Sequence, residues 1–337
     1  MADLKGKKLI FIGHDFKFIN EYITHLEERG YPLHVSRFQH KGHDLVIGEE
    51  LAKELETVDI VFCEWALGNA QALSHFKNKK FKLIVRAHAQ EFRELRDETV
   101  AKINWENVDS VIFISPFLKE TIESLIPQII NKSAYIPNYV ANKKYKSEWK
   151  GKTRQFSLGM VGILPPLKRV DKALELISKL HECDHRYTLK IKSKTLDDLR
   201  WAKNNRAWRQ WYDEIFKKFE YLFQKGVVEL IPFSDDISAF YSSVDYILSM
   251  SDTEGSHQAI AEAMFSGCIP IIRNWSGAKD IYNSDVFDYI SEMLEKIHYI
   301  DGSGLYEHLS HRCRENAIER FSQGTIFPKL NRCLGIN

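Results

Sequence analysis

The sequence predicts an α/β protein with two domains, each built on a parallel, doubly wound sheet. Short apolar runs alternate with amphipathic stretches almost from end to end, as expected for strands that helices cover on both faces. The chain has 337 residues, which is long for a single core. The pattern also weakens over the polar, basic stretch 136–155 and then starts again, so we predict a linker there.

The individual elements follow from local periodicity. A helix with apolar residues three and four apart follows the first strand and ends at Gly30, and a second clear helix covers 170–180. The tail is typical of paired helices. The predicted strands are 7–13, 31–38, 58–65, 81–88 and 108–115 in the first domain, and 156–164, 187–194, 227–233, 244–250 and 268–273 in the second.

Composition excludes several classes of protein. Apolar residues make up 44% and charged residues 28%, which is typical of a globular chain, and a net charge of +1 gives no reason to expect a nucleic-acid partner. Five scattered cysteines without a CxxC pair argue against a disulfide framework or a structural zinc. The first apolar run is too short for a signal peptide, and no run approaches the roughly 20 residues that span a bilayer. We therefore expect a cytoplasmic protein.

Two glutamates mark the loop and helix after strand 244–250. Glu254 precedes Gly255 and Ser256, and Glu262 follows eight residues later in an apolar stretch. A helix starting at Gly255 and Ser256 would offer free N–H groups and a positive dipole end to a phosphate. A rise of about 1.5 Å per residue would separate the two acids by roughly 12 Å, close to a sugar–diphosphate–ribose unit. From spacing alone, an equal alternative is that Glu254 stabilises the helix N-terminus and Glu262 points outward.

The stretch 254–272, EGSHQAIAEAMFSGCIPII, resembles retaining glycosyltransferases of the GT-B fold, specifically glycosyltransferase family 4. Members carry two Glu residues separated by seven, in a context like EGFGLVLLEAMACGKPVI. The Glu-Gly start, the Glu-Ala-Met triplet, the Gly and the Pro-Ile strand keep the same register here. The resemblance implies two Rossmann-like domains facing across a cleft. It assigns Glu254 to the donor sugar and Glu262 to the nucleotide ribose.

A second segment, MVGILPPLKRVDKALELISKL at 160–180, resembles the family's opening of the nucleotide-binding domain. Lys168 falls on the lysine that binds the donor diphosphate, where a fixed cation stabilises the departing phosphate. Two positions depart from the family, because Ile163 stands where an Arg is usual and Arg169 replaces a Gly. Lys192 and Lys194 are the two candidates to supply the missing cation. An equal alternative is that both are solvated lysines at the end of a strand.

The first domain matches less densely. In IVRAHAQEF, His88 falls on the family histidine near the reacting sugar, although a lone histidine at a strand end is more often structural. Arg86 and Glu91 are candidates for acceptor binding only because they lie nearby. In the first strand-to-helix turn, IGHDF, only Gly13 is retained of the glycines that the family places close to phosphate.

The resemblance also implies how the chain is divided. It predicts an acceptor-side domain at 1–145, a nucleotide-sugar domain at 155–319, and a last helix, 320–337, that crosses back to the first. The motif YIPNYV at 135–140 resembles the family's IPNGVD before the linker.

Two basic, aromatic features raise the question of a membrane surface. In the predicted helix 200–219, Trp201, Trp208 and Trp211 share one side, with Lys and Arg between them. We favour packing of these tryptophans on the domain over contact with a membrane or an anionic acceptor. The linker lysines and Arg154 suit a solvated hinge better than a lipid contact, but peripheral association at the inner membrane face stays open.

The resemblance implies a retaining hexosyltransferase. The expected donor is a UDP- or GDP-sugar, the acceptor is a glycan or a polyol-phosphate-type surface polymer, and the catalytic residues are Glu254, His88 and Lys168. We expect no permanently bound cofactor, and no metal because no DxD-like signature has a convincing context. The alternatives are a nucleotide-sugar epimerase or hydrolase, and a non-catalytic nucleotide-sugar-binding partner in a polysaccharide assembly complex.

Overall fold

A computed structural model describes residues 6–38, 45–92, 98–141, 154–234 and 236–336. The chain forms two compact units, Met1–Tyr139 with Gln323–Asn337, and Val140–Ser322. No helix within the described ranges has the length and apolar character needed to cross a membrane. No disulfide joins the five cysteines, all of which lie in those ranges.

The first unit is a six-stranded sheet in the order β2-β1-β3-β4-β5-β6, in which every pairing is parallel. The strands are β1 (Leu9–Gly13), β2 (Leu33–Arg37), β3 (Ile60–Glu64), β4 (Lys82–Ala87), β5 (Ser110–Phe113) and β6 (Ser133–Tyr135). The helices are α1 (Asn20–Glu28), α2 (Glu49–Leu55), α3 (Gly68–Ser74), α4 (Glu98–Ala101), α5 (Pro116–Leu125) and α14 (Gln323–Leu334).

The second unit has a six-stranded parallel sheet in the order β12-β11-β10-β7-β8-β9. The strands are β7 (Ser157–Val161), β8 (Thr188–Ser193), β9 (Val228–Pro232), β10 (Tyr246–Ser249), β11 (Ile269–Arg273) and β12 (Val286–Phe287). The helices are α6 (Val170–Cys183), α7 (Arg206–Lys218), α8 (Glu220–Gln224), α9 (Ile237–Ser242), α10 (Gln258–Phe265), α11 (Ala278–Tyr282), α12 (Ile290–Ser303) and α13 (Tyr306–Phe321).

Alternation along the strands explains why both sheets are covered on both faces. In β1, Ile10 and Ile12 enter one apolar core, whereas Leu9 and Phe11 enter another on the opposite face. Period-two alternation in a strand with no polar face requires helices on each side. The predicted α/β class with doubly wound parallel sheets is confirmed, and all ten predicted strands are present with slightly shorter bounds.

Two strands and one helix differ from the prediction. The strands β6 and β12 have three and two residues, too few for a periodic signal. The helix predicted over 200–219 begins only at Arg206, because the Asn205 side chain caps it by accepting from the Trp208 N–H at 3.1 Å. Trp201 therefore precedes the helix and is 64% exposed, so the prediction that it shares a side of the helix and packs on the domain is wrong, whereas Trp208 and Trp211 pack against the core as predicted.

The strand orders fix where each sheet can hold a ligand. In the second unit the chain moves from β7 through β8 to β9 at one edge, then returns to β10 and moves to the other edge. In the first unit the same reversal separates β1 from β3. Ligands of such sheets bind beyond the carboxyl ends of the strands at the point of reversal. The loops after β7 and β10, and after β1 and β3, are therefore where site residues should lie.

Candidate functional site

Lys168 and Glu254 meet at the point of reversal in the second unit. Lys168 ends a short 3₁₀ turn (Pro166–Lys168) after β7, and Glu254 lies in the loop after β10. The Lys168 ammonium forms a salt bridge with Glu254 Oε1, and the Ser251 hydroxyl donates to the same oxygen at 2.7 Å. Two residues that are 86 positions apart in sequence thus form one charged pair.

Glu254 is a stable carboxylate in this setting. Its side chain is only 8% exposed, and burial alone would raise its pKa. His257, Lys168 and the hydrogen bonds from Lys168 and Ser251 oppose burial and lower the pKa to about 2. The group is therefore ionised throughout the neutral range, where it can accept hydrogen bonds but cannot donate a proton.

His257 completes this cluster, and the sequence did not single it out. Burial lowers its pKa to about 4 against the opposing effect of Glu254, so the ring is neutral at pH 7. Its Nδ1 lies 2.6 Å from Ser249 Oγ, which also accepts from the Trp275 indole N–H at 3.2 Å. At neutral pH the charge on Glu254 is therefore balanced by Lys168.

The helix that follows starts later than predicted. α10 begins at Gln258, and its N-cap residue His257 is in the left-handed conformation with φ of 46°. Gly255 and Ser256 lie in the bend before it, where the Ser256 carbonyl accepts from the Tyr282 hydroxyl at 2.7 Å. The prediction that the helix starts at Gly255 and Ser256 is wrong. The helical rise per residue, from which the separation of Glu254 and Glu262 was estimated, applies only from Gln258 onward.

Glu262 lies one helical turn after Gln258 and is half-buried. Its Oε2 accepts a hydrogen bond from the Tyr241 hydroxyl at 3.1 Å. The carboxylate is therefore held by a hydrogen bond from the neighbouring helix α9. It does not simply point outward into solvent.

The two further candidate lysines differ in their surroundings. Lys192 is buried and donates to Ser234 Oγ at 2.8 Å, whereas Lys194 is exposed with its ammonium 5.4 Å from the centre of the Phe233 ring. Ile163, at the position where an Arg was expected, is buried, and its N–H donates to Ser193 Oγ at 3.0 Å. Of the two lysines, only Lys192 is held as a fixed cation.

Arg169 ties the two loops of this site together. It adopts the left-handed conformation, with φ of 53°, at a position where the family has Gly. Its guanidinium makes a fork with Asp171 at 2.9 and 2.8 Å and reaches Asp252 at 3.0 Å. Arg273 donates to the same Asp252 oxygen at 2.5 Å, and the Asp252 N–H donates to the Leu167 carbonyl at 2.8 Å. The loops after β7 and β10 are thereby fixed to each other.

His88 belongs to a buried charged cluster in the first unit. Glu64 ends β3, and its Oε1 accepts from Arg86 Nη1 at 2.7 Å and lies 2.9 Å from His88 Nε2. Arg86 also donates to Asn138 Oδ1 at 2.5 Å. The His88 ring stacks on Trp65 with centroids 4.0 Å apart. Burial is the main influence on its pKa, which is lowered, so the ring is neutral at pH 7.

Glu91 holds the loops after β3 and β4 in place. Its buried Oε1 accepts from the His88 N–H at 2.8 Å and the Ala66 N–H at 3.1 Å. Burial raises its pKa to about 8, outweighing those hydrogen bonds. Glu91 and Arg86 are thus engaged inside the unit, and their suggested contact with an acceptor stays untested.

The raised pKa of Glu91 predicts a pH-dependent stability. Because the folded state keeps the proton up to about pH 8 and the unfolded chain releases it near pH 4.5, the free energy of unfolding should fall as pH rises between these values. One proton gives a slope of at most about 1.4 kcal/mol per pH unit. Glu91→Gln should remove this contribution in urea unfolding from pH 5 to 8, relative to the exposed control Glu49→Gln. Equal slopes for wild type and Glu91→Gln would contradict the assignment.

Gly13 packs against this cluster at the end of β1. A Cβ there would lie 3.1 Å from Glu64 Cβ and 3.2 Å from the Phe16 ring. Close packing therefore accounts for the glycine, and a phosphate contact stays a prediction.

The predicted site residues fall into two groups. Gly13 and His88 belong to the first unit, and the remaining ones belong to the second. Of the basic linker, Lys143, Lys144, Lys146, Lys150 and Lys152 lie outside the described residues, whereas Arg154 pairs with Asp301 within the second unit.

No protein-family model and no curated protein matches this chain. Solved structures do share its fold. HepE of Anabaena, crystallised with UDP-glucose, matches with a TM-score of 0.68 and 16% identity over 97% of this chain and 99% of its own. A glycosyltransferase of Rickettsia africae matches with a TM-score of 0.66 and 14% identity over 97% of this chain and 98% of its own.

TarM is a further similar structure, with a TM-score of 0.65 and 18% identity over 85% of this chain. The match covers 56% of the TarM chain. A mutant of TarM from S. aureus was crystallised with fondaparinux, alpha-GlcNAc-glycerol and UDP. At such identities the likeness establishes the architecture, and this chain therefore has the two-unit α/β GT-B fold.

Proposed function

We propose that this protein is a retaining glycosyltransferase that moves a hexose from a nucleotide-sugar to a glycan or polyol-phosphate-type acceptor. The observation that carries the proposal is the Lys168–Glu254 pair at the point of sheet reversal in the second unit. A cation and a carboxylate held side by side there suit a ligand that has both phosphates and hydroxyl groups. The UDP and UDP-glucose named for similar structures favour a UDP-sugar as the first donor to test.

In this proposal each residue has a separate task. Lys168 stabilises the negative charge that develops on the leaving diphosphate. Glu254 accepts hydrogen bonds from hydroxyl groups of the sugar, His88 orients that sugar, and Glu262 binds the ribose. Lys192 is the better placed of the two further lysines to provide a second positive charge.

A cavity of about 410 Å³ at the carboxyl ends of β7 and β8 supports a place for the nucleotide base. Its lining includes Ile163, Lys194, Tyr212 and Pro232. An apolar wall with a few polar groups is typical of sites for flat heterocycles. The Ile163 side chain, which stands where an Arg is usual, would then contribute to this wall.

The reaction needs no protein nucleophile in this scheme. The leaving phosphate accepts the proton of the acceptor hydroxyl on the same face of the sugar, where the new glycosidic bond forms as the bond to phosphate breaks. Glu254 does not serve as the acid, because its pKa of about 2 leaves it without a proton.

A thermal-shift screen of UDP- and GDP-sugars tests donor binding, since a ligand of the native state raises the unfolding temperature. We expect a shift with at least one donor. Glu262→Ala should weaken that donor's affinity about tenfold with little change in kcat, because a lost charge-assisted hydrogen bond costs about 1.5 kcal/mol. The exposed Glu319→Ala is the matched control. Equal donor affinity in wild type and Glu262→Ala would contradict the ribose role.

One alternative has a specific observation behind it. Because Ile163 is buried where a second phosphate-binding cation was expected, the protein could bind a nucleotide-sugar without turning it over. Donor binding without nucleotide release, in the presence of water or of a panel of glycan and polyol-phosphate acceptors, would favour this binding-partner function. Sugar release to water alone would favour a hydrolase, and interconversion of the donor an epimerase. The anomeric configuration of a product, read by NMR, tests retention.

A further inference from the structure

We propose that Glu64 is a positioning residue that holds His88 in its Nε2–H tautomer, so that Nδ1 accepts a hydrogen bond from a substrate hydroxyl. The proposal rests on the proposed function for the identity of the substrate as a sugar. It assigns a role to a residue outside the sequence-predicted site. Four features of the first unit support it.

The first feature is the position of Glu64. It is the last residue of β3 and lies beside Gly13, the last residue of β1, at the point where the order of this sheet reverses. Ligands of such sheets bind beyond the carboxyl ends of the strands at this point of reversal.

The second feature is the direction of the hydrogen bond. Glu64 Oε1 forms an ion pair with Arg86 at 2.7 Å and also lies 2.9 Å from His88 Nε2. An ionised carboxylate can only accept, so Nε2 must carry the proton. In a neutral imidazole the other nitrogen, Nδ1, is then the acceptor. Burial lowers the pKa of His88, which keeps the ring neutral at physiological pH.

The third feature is the fixed plane of the imidazole. Trp65 stacks on it at a centroid distance of 4.0 Å and an interplanar angle of 29°, and Phe18 at 5.2 Å and 30°. Trp65 is in the left-handed conformation with φ of 74°, an unfavourable backbone for a bulky residue. Stacking and hydrogen bonding together define the direction of Nδ1.

The fourth feature is the cost of the arrangement. Glu64 is fully buried, and its Oε2 has no hydrogen-bond partner among the described residues. A buried polar atom without a partner is unfavourable, so the ion pair of Oε1 with Arg86 forms at the expense of the other carboxylate oxygen. The hydrogen bond between His88 Nε2 and Oε1 gives the carboxylate a second role beside that ion pair, the fixing of the histidine tautomer.

Ring-nitrogen NMR of the full chain labelled with [15N]histidine tests the tautomer without any ligand. His88→Asn identifies the His88 signals by difference. We expect wild type and Glu64→Gln to show the proton on Nε2, because the Gln carbonyl oxygen can still accept from both Arg86 and His88. In Glu64→Met the Nε2 proton should move upfield and the Nδ1–H tautomer should become detectable. If Glu64→Met does not fold, Glu64→Met with Arg86→Met removes both buried charges together.

Two further measurements separate this role from a structural one. With a nucleotide-sugar shown to bind by thermal shift, the Nδ1 signal of His88 should move on saturation. Once turnover is established, kcat/KM should fall about tenfold in the Met variant and stay within about threefold of wild type in Glu64→Gln, as expected for one hydrogen bond.

Three results would overturn the proposal: a proton on Nδ1 in wild type, unchanged ring signals after loss of the Glu64 carboxylate, or an Nδ1 signal that a bound donor leaves unmoved. If no nucleotide-sugar binds, the proposed function fails and the substrate contact fails with it. The tautomer measurement, made without ligand, still decides whether Glu64 positions His88.

Discussion

Lys168→Met is expected to lower kcat for sugar transfer by roughly 10²- to 10³-fold, the usual effect of removing one group that stabilises charge in a transition state. The ammonium lies at the carboxyl end of β7 beside Glu254, with no other lysine or arginine of the described chain paired to that carboxylate. In the proposed reaction it meets the charge that develops on the leaving diphosphate. Donor affinity should fall less than kcat, because that charge is greatest in the transition state.

The matched control for this change is Lys172→Met on the first turn of α6. Lys172 forms an i,i+3 pair with Glu175 at 3.0 Å, and both side chains are about one-third exposed, so the pair contributes little to stability. Nucleotide release by both variants should be measured after circular dichroism shows that they are folded. If the kcat of Lys168→Met lay within a few-fold of that of Lys172→Met, Lys168 would have no part in the mechanism.

Glu254→Gln is expected to lower kcat by about 10- to 100-fold, the loss for a charge-assisted hydrogen bond of about 1.5–3 kcal/mol. The amide keeps the shape of the carboxylate and still accepts from Ser251. It removes the charge that balances Lys168 and that, in the proposed reaction, holds hydroxyl groups of the sugar. Donor affinity should change little, because Lys168 becomes fully available to the diphosphate.

The double variant Lys168→Met with Glu254→Gln tests whether the two residues act as a unit. Groups that contact each other show coupled effects, so the double variant should lose much less activity than the product of the single losses. It also guards against misfolding, since it leaves no unpaired buried charge. Fully multiplicative losses, or a Glu254→Gln enzyme with wild-type kcat, would show that the pair has no joint role.

Much of the fold could be predicted because the strands are apolar on both faces and long enough to be seen. The runs that became β1 and β7 contrast strongly with the amphipathic helices after them. The two missed strands, Ser133–Tyr135 and Val286–Phe287, have no such contrast. Strand pairing supplies their backbone partners, and this long-range effect has no local sequence pattern.

The candidate site was only partly predictable for a similar reason. Lys168 and Glu254 were predicted from two sequence motifs that keep the register of the family that they resemble. Each motif is a local pattern. Glu64 ends an ordinary apolar strand, and its partners Arg86 and His88 follow 22 and 24 residues later. Only the parallel pairing of β3 with β4 brings these three together.

The start of α10 illustrates a different limit. The residues Gly255 and Ser256 are good helix N-terminal residues, so the sequence favoured an early start. The left-handed backbone of His257, held by the hydrogen bond between its ring and Ser249, delays the helix to Gln258. A tertiary contact overrode a local preference there.

The bridge of Arg169 and Arg273 to Asp252 has a consequence for binding thermodynamics. Ordering a flexible loop around a ligand costs conformational entropy, which reduces affinity. Here the loops after β7 and β10 are already joined through Asp252 and through the backbone bond from Asp252 to Leu167. A donor that binds to this unit would meet a preorganised surface, so its association should carry only a small entropic penalty from these loops.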